Sequence, residues 1–346
     1  MGRAGLNPEL LAETAAQLVA ADKGILAIDE SNATCNRRFA ALDIAQTAEN
    51  RRRWRELIVT TPDINRSISG MILYDETIHQ ATAGGRPFVD VLADAGMLIG
   101  IKVDTGAKPL AGCGSESVTE GLDDLRERLT GYARIGARFA KWRAVFSAGD
   151  GTPTLACIEA NAHALARYAA LCQEVGLVPI VEPELLMAGA HDLDLCGALT
   201  ETILRAVFHQ LSAQRVLLEG LILKPNMVLA GSSSTDQATP ERIADATLRC
   251  LLRAVPAAVP GIAFLSGGQS PELASTRLAA MNAQCRAKPP WPLSFSFARA
   301  IQQPALAIWA GDDANVTHAQ AALNHRARCN RAARRGEYDA ATDQPS

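Results

Sequence analysis

Lys224 ends the apolar run Leu221-Ile222-Leu223-Lys224-Pro225-Asn226. Desolvation of such an amine disfavours its ammonium form, and a neighbouring cation disfavours it further, so a neutral nucleophilic nitrogen becomes accessible near neutral pH. Lys141 is the candidate neighbour. A neutral amine attacking a carbonyl carbon forms a Schiff base, an electron sink through which a carbon–carbon bond is broken or made without a metal. Other apolar runs end on charge in the same way: Asp29, Lys102 with Asp104, Lys141 with Arg143, Glu182 with Glu184, and Arg299. In extended chain the i, i+2 pairs Lys141/Arg143 and Glu182/Glu184 each project to one face. At any single position the competing explanation is an ion pair or a snorkelling strand end; recurrence along the chain favours one charged cup. Ser266-Gly267-Gly268 lets backbone N–H groups approach an anion, and Ser270-Pro271 opens a helix with its positive end toward the same place. Arg299 adds a fork of donors, which makes this a phosphate site.

Those residues need elements that bring them to one place. Eight short apolar runs stop at polar residues: 24–29, 67–74, 98–104, 139–146, 177–184, 218–226, 261–268 and 293–299. Each gap has room for a helix and two loops. Helical patterns fill 161–175, 199–211 and 240–252, the last with Thr239 as N-cap and Pro240 at the first helical position. Near-continuous apolar strands alternating with helices predict a parallel sheet, and eight units predict an α/β fold closed as a single (β/α)8 TIM barrel. A doubly wound sheet is the alternative. Asn7-Pro8 starts an extra N-terminal helix to about residue 21, and 303–335 reads as one or two C-terminal helices. The chain is read as one domain, 1–346, with the barrel over about 22–310, C-terminal helices beyond 311 and a loose polar tail from Gly336. Active sites in such barrels lie at the carboxyl ends of the strands, with phosphate commonly held after strands 7 and 8.

Composition narrows the setting. The 346 residues are 48% hydrophobic and 21% charged, which excludes disordered and collagen-like chains. A net charge of −3 gives no global attraction to nucleic acid or an anionic membrane, so any polyanion site is local. No apolar run is long enough for a membrane span, and Met1 to Leu6 has no apolar leader; a cytoplasmic protein is expected. The eight cysteines are scattered and read as reduced thiols. No Cys-x-x-Cys occurs and no two histidines stand at i, i+4, so no metal is expected; His191-Asp192 reads as a loop pair. Arg51-Arg52-Arg53-Trp54-Arg55, followed by Leu57 and Ile58, reads as an amphipathic helix with a solvated basic face rather than a nucleic-acid patch, and 326–335 as the solvated end of a terminal helix.

From Gly24 to Tyr338 the chain resembles the class I, Schiff-base-forming fructose-1,6-bisphosphate aldolases. The resemblance rests on Gly24-Ile25-Leu26-Ala27 with Asp29-Glu30-Ser31, Gly85-Arg86-Pro87-Phe88, Gly100-Ile101-Lys102-Val103-Asp104, and Lys141-Trp142-Arg143. It continues in Val178-Pro179-Ile180-Val181-Glu182-Pro183-Glu184, Leu223-Lys224-Pro225-Asn226-Met227-Val228 and Phe264-Leu265-Ser266-Gly267-Gly268-Gln269-Ser270. It implies a homotetrameric barrel enzyme of glycolysis and gluconeogenesis that needs no cofactor and cleaves fructose 1,6-bisphosphate reversibly to dihydroxyacetone phosphate and glyceraldehyde 3-phosphate. By this resemblance Lys224 is the Schiff-base lysine, and Glu182, helped by Lys141, is the acid/base that dehydrates the carbinolamine. Asp29 accepts the 4-hydroxyl proton, and Glu184 holds Lys141 and Lys224 in place. One phosphate lies against Ser266, Gly267 and Arg299, the other end of the substrate against Lys102, Arg143, Arg38 and Thr34.

Three positions depart from the family pattern. Thr34 replaces a usual Ser, Ala298 stands before Arg299 where Gly is usual, and the sequence closes on Asp343-Gln344-Pro345-Ser346 without the Tyr of animal and plant relatives, Tyr338 being a distant substitute. The rival enzymes are other Schiff-base barrels, a transaldolase or a deoxyribose-phosphate aldolase, which would not need two phosphate poles. A noncatalytic scaffold barrel is the rival from another class.

Overall fold

Gly24-Ile25-Leu26-Ala27-Ile28 has no polar side to offer water, and all five residues are buried in strand β1 (Gly24–Ile28) of the computed structural model. Every residue is likewise buried in β2 (Ile68–Leu73), β5 (Val178–Leu185), β7 (Ile262–Phe264) and β8 (Leu293–Phe297). With β3 (Leu98–Lys102), β4 (Phe139–Phe146) and β6 (Ile222–Leu223) they pair in parallel, each with its neighbours in sequence, and β8 closes onto β1. Helices cover the outside, so the fold is a closed (β/α)8 barrel and not an open doubly wound sheet. The structure describes residues 7–149, 151–283 and 289–343; residues 1–6, Cys285 and the final three residues lie outside them.

Alternation along the strands divides the core in two. Ile25, Ala27, Ile72, Phe139, Val178, Ile180, Ile222 and Ala263 form an inner cluster with Leu11, Ala15, Leu18 and Val19, so the helix Pro8–Leu18 plugs the amino end of the barrel. Intervening strand residues pack outward against the helices. Because the period is two, the inward positions next after Ala27, Phe139, Ile180 and Ile222 belong to Asp29, Lys141, Glu182 and Lys224. The apolar floor thus ends in a ring of charge at the carboxyl end.

Several boundaries differ from the sequence reading. The run 218–226 gives only Ile222–Leu223 as strand, behind a 3₁₀ turn at Leu218–Gly220, because Pro225 has no N–H to give the ladder. The helices Leu155–Glu174 and Leu193–Ala213 start earlier than predicted, capped by Thr154 and Asp192, whereas Thr239 caps Pro240–Ala254 as expected. An antiparallel hairpin, Gly106–Pro109 with Ser117–Glu120, was not foreseen. The helix Ala48–Val59 is amphipathic, but its arginines do not form a solvated face: Arg55 is buried against Glu30 at 2.9 Å, and Arg51 pairs with Glu76 at 2.7 Å. Nearby carboxylates outcompete water for these guanidiniums. In the terminal helix Val316–Arg334, Arg326 and Arg334 are likewise buried, Arg334 donating to the carbonyls of Val19, Ala20 and Lys23. The tail from Gly336, expected to be loose, is tied to that helix as far as Asp343, whose carboxylate receives Arg326, His325 and Tyr338. No helix among the described residues is long and apolar enough to cross a membrane.

Candidate active site

At the carboxyl end of the barrel lies a cavity of about 860 Å³. Its floor is built from four inward side chains, two on β4 and β5 and two just beyond the ends of β1 and β6. Glu182 sits between two lysines: Oε1 is 3.2 Å from Lys224 Nζ and Oε2 is 3.3 Å from Lys141 Nζ. Lys141 also lies 2.5 Å from Asp29 Oδ2. All four are buried, Lys224 to 4% exposure. Asp29, Lys141, Glu182 and Lys224, singled out in the sequence, thus lie together.

Burial alone would drive these groups neutral. For Glu182 burial raises the pKa, but Lys141, Lys224 and Arg143 outweigh it and hold the carboxyl below its usual range. Asp29 behaves alike: burial opposes its charge, yet Lys141 and Lys224 bring it down to about 2. Burial disfavours the Lys141 ammonium, yet Asp29 and Glu182 hold its pKa well above that of a free lysine. The resting floor thus carries two carboxylates and at least one firm cation, the Lys141 ammonium that the sequence reading placed beside Lys224.

Glu184 does not hold the two lysines. It accepts from Arg143 Nε at 2.5 Å instead. Two residues further along β5 it has passed the lysine layer and meets Arg143, itself two residues beyond Lys141 on the adjoining strand. Arg143 keeps 42% of its side chain exposed and leans over the cavity. Lys102 reaches Asp104 at 2.6 Å, and Asp104 also accepts from the backbone N–H of Arg143 at 3.2 Å, joining the end of β3 to the middle of β4. Arg38 pairs with Glu30 at 2.5 Å, and Gln302 donates to the same carboxylate at 2.9 Å. Thr34 lies beside it on the helix Asn32–Ala40, accepting from Arg37 at 3.0 Å.

The other pole follows β7 and β8. Gly267 and Gly268 have φ of +58° and +88°, which turn the loop back over the cavity and favour glycine. The Arg299 guanidinium lies so close to Gly268 that a β-carbon there would come within 3.1 Å of it. Ala298 has φ −109°, so the residue usual in relatives is not needed here for a left-handed turn. Ser266 is buried at the same end. Arg299, Ser266 and Gly267 thus line one side, with Lys102, Arg143, Arg38 and Thr34 among the remaining wall. Sequence reasoning missed Arg37, Tyr74 and Ser296, which also line the cavity. Ser296 Oγ is buried and has no hydrogen-bond partner among the described residues. The signal for Ser296 was its place one residue before the end of β8, on the inward face.

A protein-family model described as "Fructose-bisphosphate aldolase class-I" matches residues 10–346. The chain belongs to the class I fructose-bisphosphate aldolases. A probable class 1 fructose-bisphosphate aldolase of Xanthomonas campestris pv. campestris is 53% identical over 334 residues, covering 96% of this chain and 99% of that one. The cytoplasmic isozyme of Cicer arietinum is 52% identical over 333 residues, covering 96% and 92%. A solved aldolase of Plasmodium falciparum, in complex with TRAP and a small-molecule inhibitor, superposes with a TM-score of 0.94 at 45% identity, covering 96% of each chain. This aldolase is accordingly an enzyme of the lyase class, and the transaldolase, deoxyribose-phosphate aldolase and scaffold alternatives fall away.

Proposed function

We propose that Lys224 forms a Schiff base with the C2 carbonyl of open-chain fructose 1,6-bisphosphate, leading to reversible cleavage into dihydroxyacetone phosphate and glyceraldehyde 3-phosphate. The observation that carries this reading is the Glu182 carboxylate, shared between Lys224 and Lys141 at 3.2 and 3.3 Å. A carboxylate at that distance takes a proton from Lys224, freeing the amine to attack, and is then the acid that protonates the departing C2 hydroxyl as water. The resulting iminium draws the electron pair of the C3–C4 bond, while Asp29, ionised at neutral pH, takes the C4 hydroxyl proton. Glyceraldehyde 3-phosphate leaves first. The enamine is then protonated at C3 from solvent, Asp29 gives its proton back to solvent, and hydrolysis of the iminium releases dihydroxyacetone phosphate and restores the amine.

Lys141 stabilises both carboxylates without being consumed. Two phosphates suit two cationic ends, Arg299 with Ser266 and Gly267 on one side and Lys102, Arg143, Arg38 and Thr34 on the other. Glu184 positions Arg143. We further infer one domain over the whole chain, acting in the cytoplasm as a homotetramer in glycolysis and gluconeogenesis. Coupled assays of cleavage in EDTA test the function. Turnover of fructose 1,6-bisphosphate in chelator, exceeding that of fructose 1-phosphate, is expected; loss of turnover on chelation, or equal use of the monophosphate, would contradict it.

A further inference from the structure

Away from the barrel cavity, the terminal helix and the tail bring three metal-ligating side chains together. His325 and Cys329 stand at i, i+4 on one face of Val316–Arg334, and the chain turns back at Gly336 to add Asp343. Their donor atoms lie within 4.8 Å of one another. Cys329 Sγ is 3.5 Å from His325 Nε2 and 3.3 Å from Asp343 Oδ1, and His325 Nε2 is 2.6 Å from Asp343 Oδ1. Around a tetrahedral zinc ion, bond lengths of ~2.0 Å to nitrogen and oxygen and ~2.3 Å to sulfur put ligand atoms ~3.3–3.5 Å apart. Two edges of this triangle already have that length. The third opens when the metal replaces the proton shared by His325 and Asp343.

The surroundings orient these donors. Asp343 Oδ2 is occupied by Tyr338, whose hydroxyl donates at 2.5 Å, and by Arg326, which leaves Oδ1 turned toward His325 and Cys329. Arg326 is fixed in turn by the Pro271 carbonyl and Ser275 Oγ, each at 2.8 Å. Carboxylate ligands held by such outer partners are typical of metal sites. The sequence holds no His–His pair at i, i+4; a His–Cys pair at that spacing gains its third ligand only when the tail folds back.

We propose that His325, Cys329 and Asp343 bind a thiophilic divalent cation of the zinc type, with water as fourth ligand, and so fasten the tail to the terminal helix. On binding, Cys329 releases its thiol proton and the sulfur becomes a thiolate ligand. This site would be structural and separate from the Lys224 chemistry, which calls for no metal.

The test uses the full chain, stripped with chelator and titrated with Co²⁺ alone. One equivalent should produce thiolate-to-cobalt charge-transfer absorption in the near ultraviolet, displaced by Zn²⁺, and should slow proteolysis of the tail. Cys329→Ser should abolish the band. Asp343→Asn should weaken the metal at least ~10-fold. Circular dichroism checks that each variant is folded. Absence of the band in the unmodified chain, or an undiminished band in folded Cys329→Ser, overturns the proposal. If Cys329→Ser does not fold, unchanged affinity in Asp343→Asn does so.

Discussion

In the proposed mechanism Glu182 serves two steps because its two oxygens face different lysines, Lys224 as the proposed nucleophile and Lys141 as a held cation. This division predicts different failures for neighbouring residues. Glu182→Gln should lower kcat by ~10²–10⁴ and slow formation of the covalent adduct with dihydroxyacetone phosphate. Asp29→Asn should lower cleavage by a similar factor while adduct formation persists, since its proton transfer comes after the Schiff base. Rapid mixing followed by mass spectrometry separates the two. Asp29 also makes a pH prediction. Its pKa is lowered from 3.8 to about 2, so its ionised form stabilises the fold above pH ~4 by about 2 kcal/mol, and that contribution is lost as pH falls through the window between 4 and 2. Urea midpoints measured over this range should fall less steeply in Asp29→Asn than in the natural chain. The i, i+2 pairs made Lys141 and Glu182 legible in the sequence, and Lys224 stood out as an amine closing an apolar run. Which carboxylate pairs with which cation was not legible, because it depends on the register of β4 against β5, and for that reason Glu184 was assigned to the wrong partners.

At the scale of elements, apolar runs that stop at polar residues located all eight strands, and the largest misjudged end, 218–226 against Ile222–Leu223, falls where Pro225 has no N–H for the ladder. The hairpin at Gly106–Pro109 and Ser117–Glu120 escaped notice because its first strand is largely exposed and carries no alternation. The basic helix Ala48–Val59 was legible as a helix but not as an ion-pair scaffold, since Glu30 and Glu76 come from distant positions. Arg55 is 2% exposed and pairs with Glu30, which also holds Arg38 at the cavity edge. Arg55→Ala should therefore cost about 3–5 kcal/mol in urea unfolding, more than a surface arginine would. In the β7 loop, Gly268→Ala meets both a positive φ and the Arg299 guanidinium. It should raise KM for fructose 1,6-bisphosphate several-fold with a smaller change in kcat, as steady-state kinetics would reveal.

For the whole molecule, the apolar inner layer of the strands and the charged cup at the carboxyl end arise from one period-two pattern, and a helix plugs the amino end. The net charge of −3 says nothing of the cavity walls, because seven of the 34 Lys and Arg residues line the cavity against five acids, a local excess that the whole-chain sum hides. Light scattering should give the mass of four chains; a stable monomer at micromolar concentration would contradict the tetramer. The central claim is the identity of the nucleophile, and borohydride reduction in the presence of dihydroxyacetone phosphate, followed by peptide mass mapping, tests it most directly. A single reduced adduct on Lys224, unaffected by EDTA, is the predicted result; an adduct on Lys141 or another lysine, or none at all in active enzyme, would contradict it.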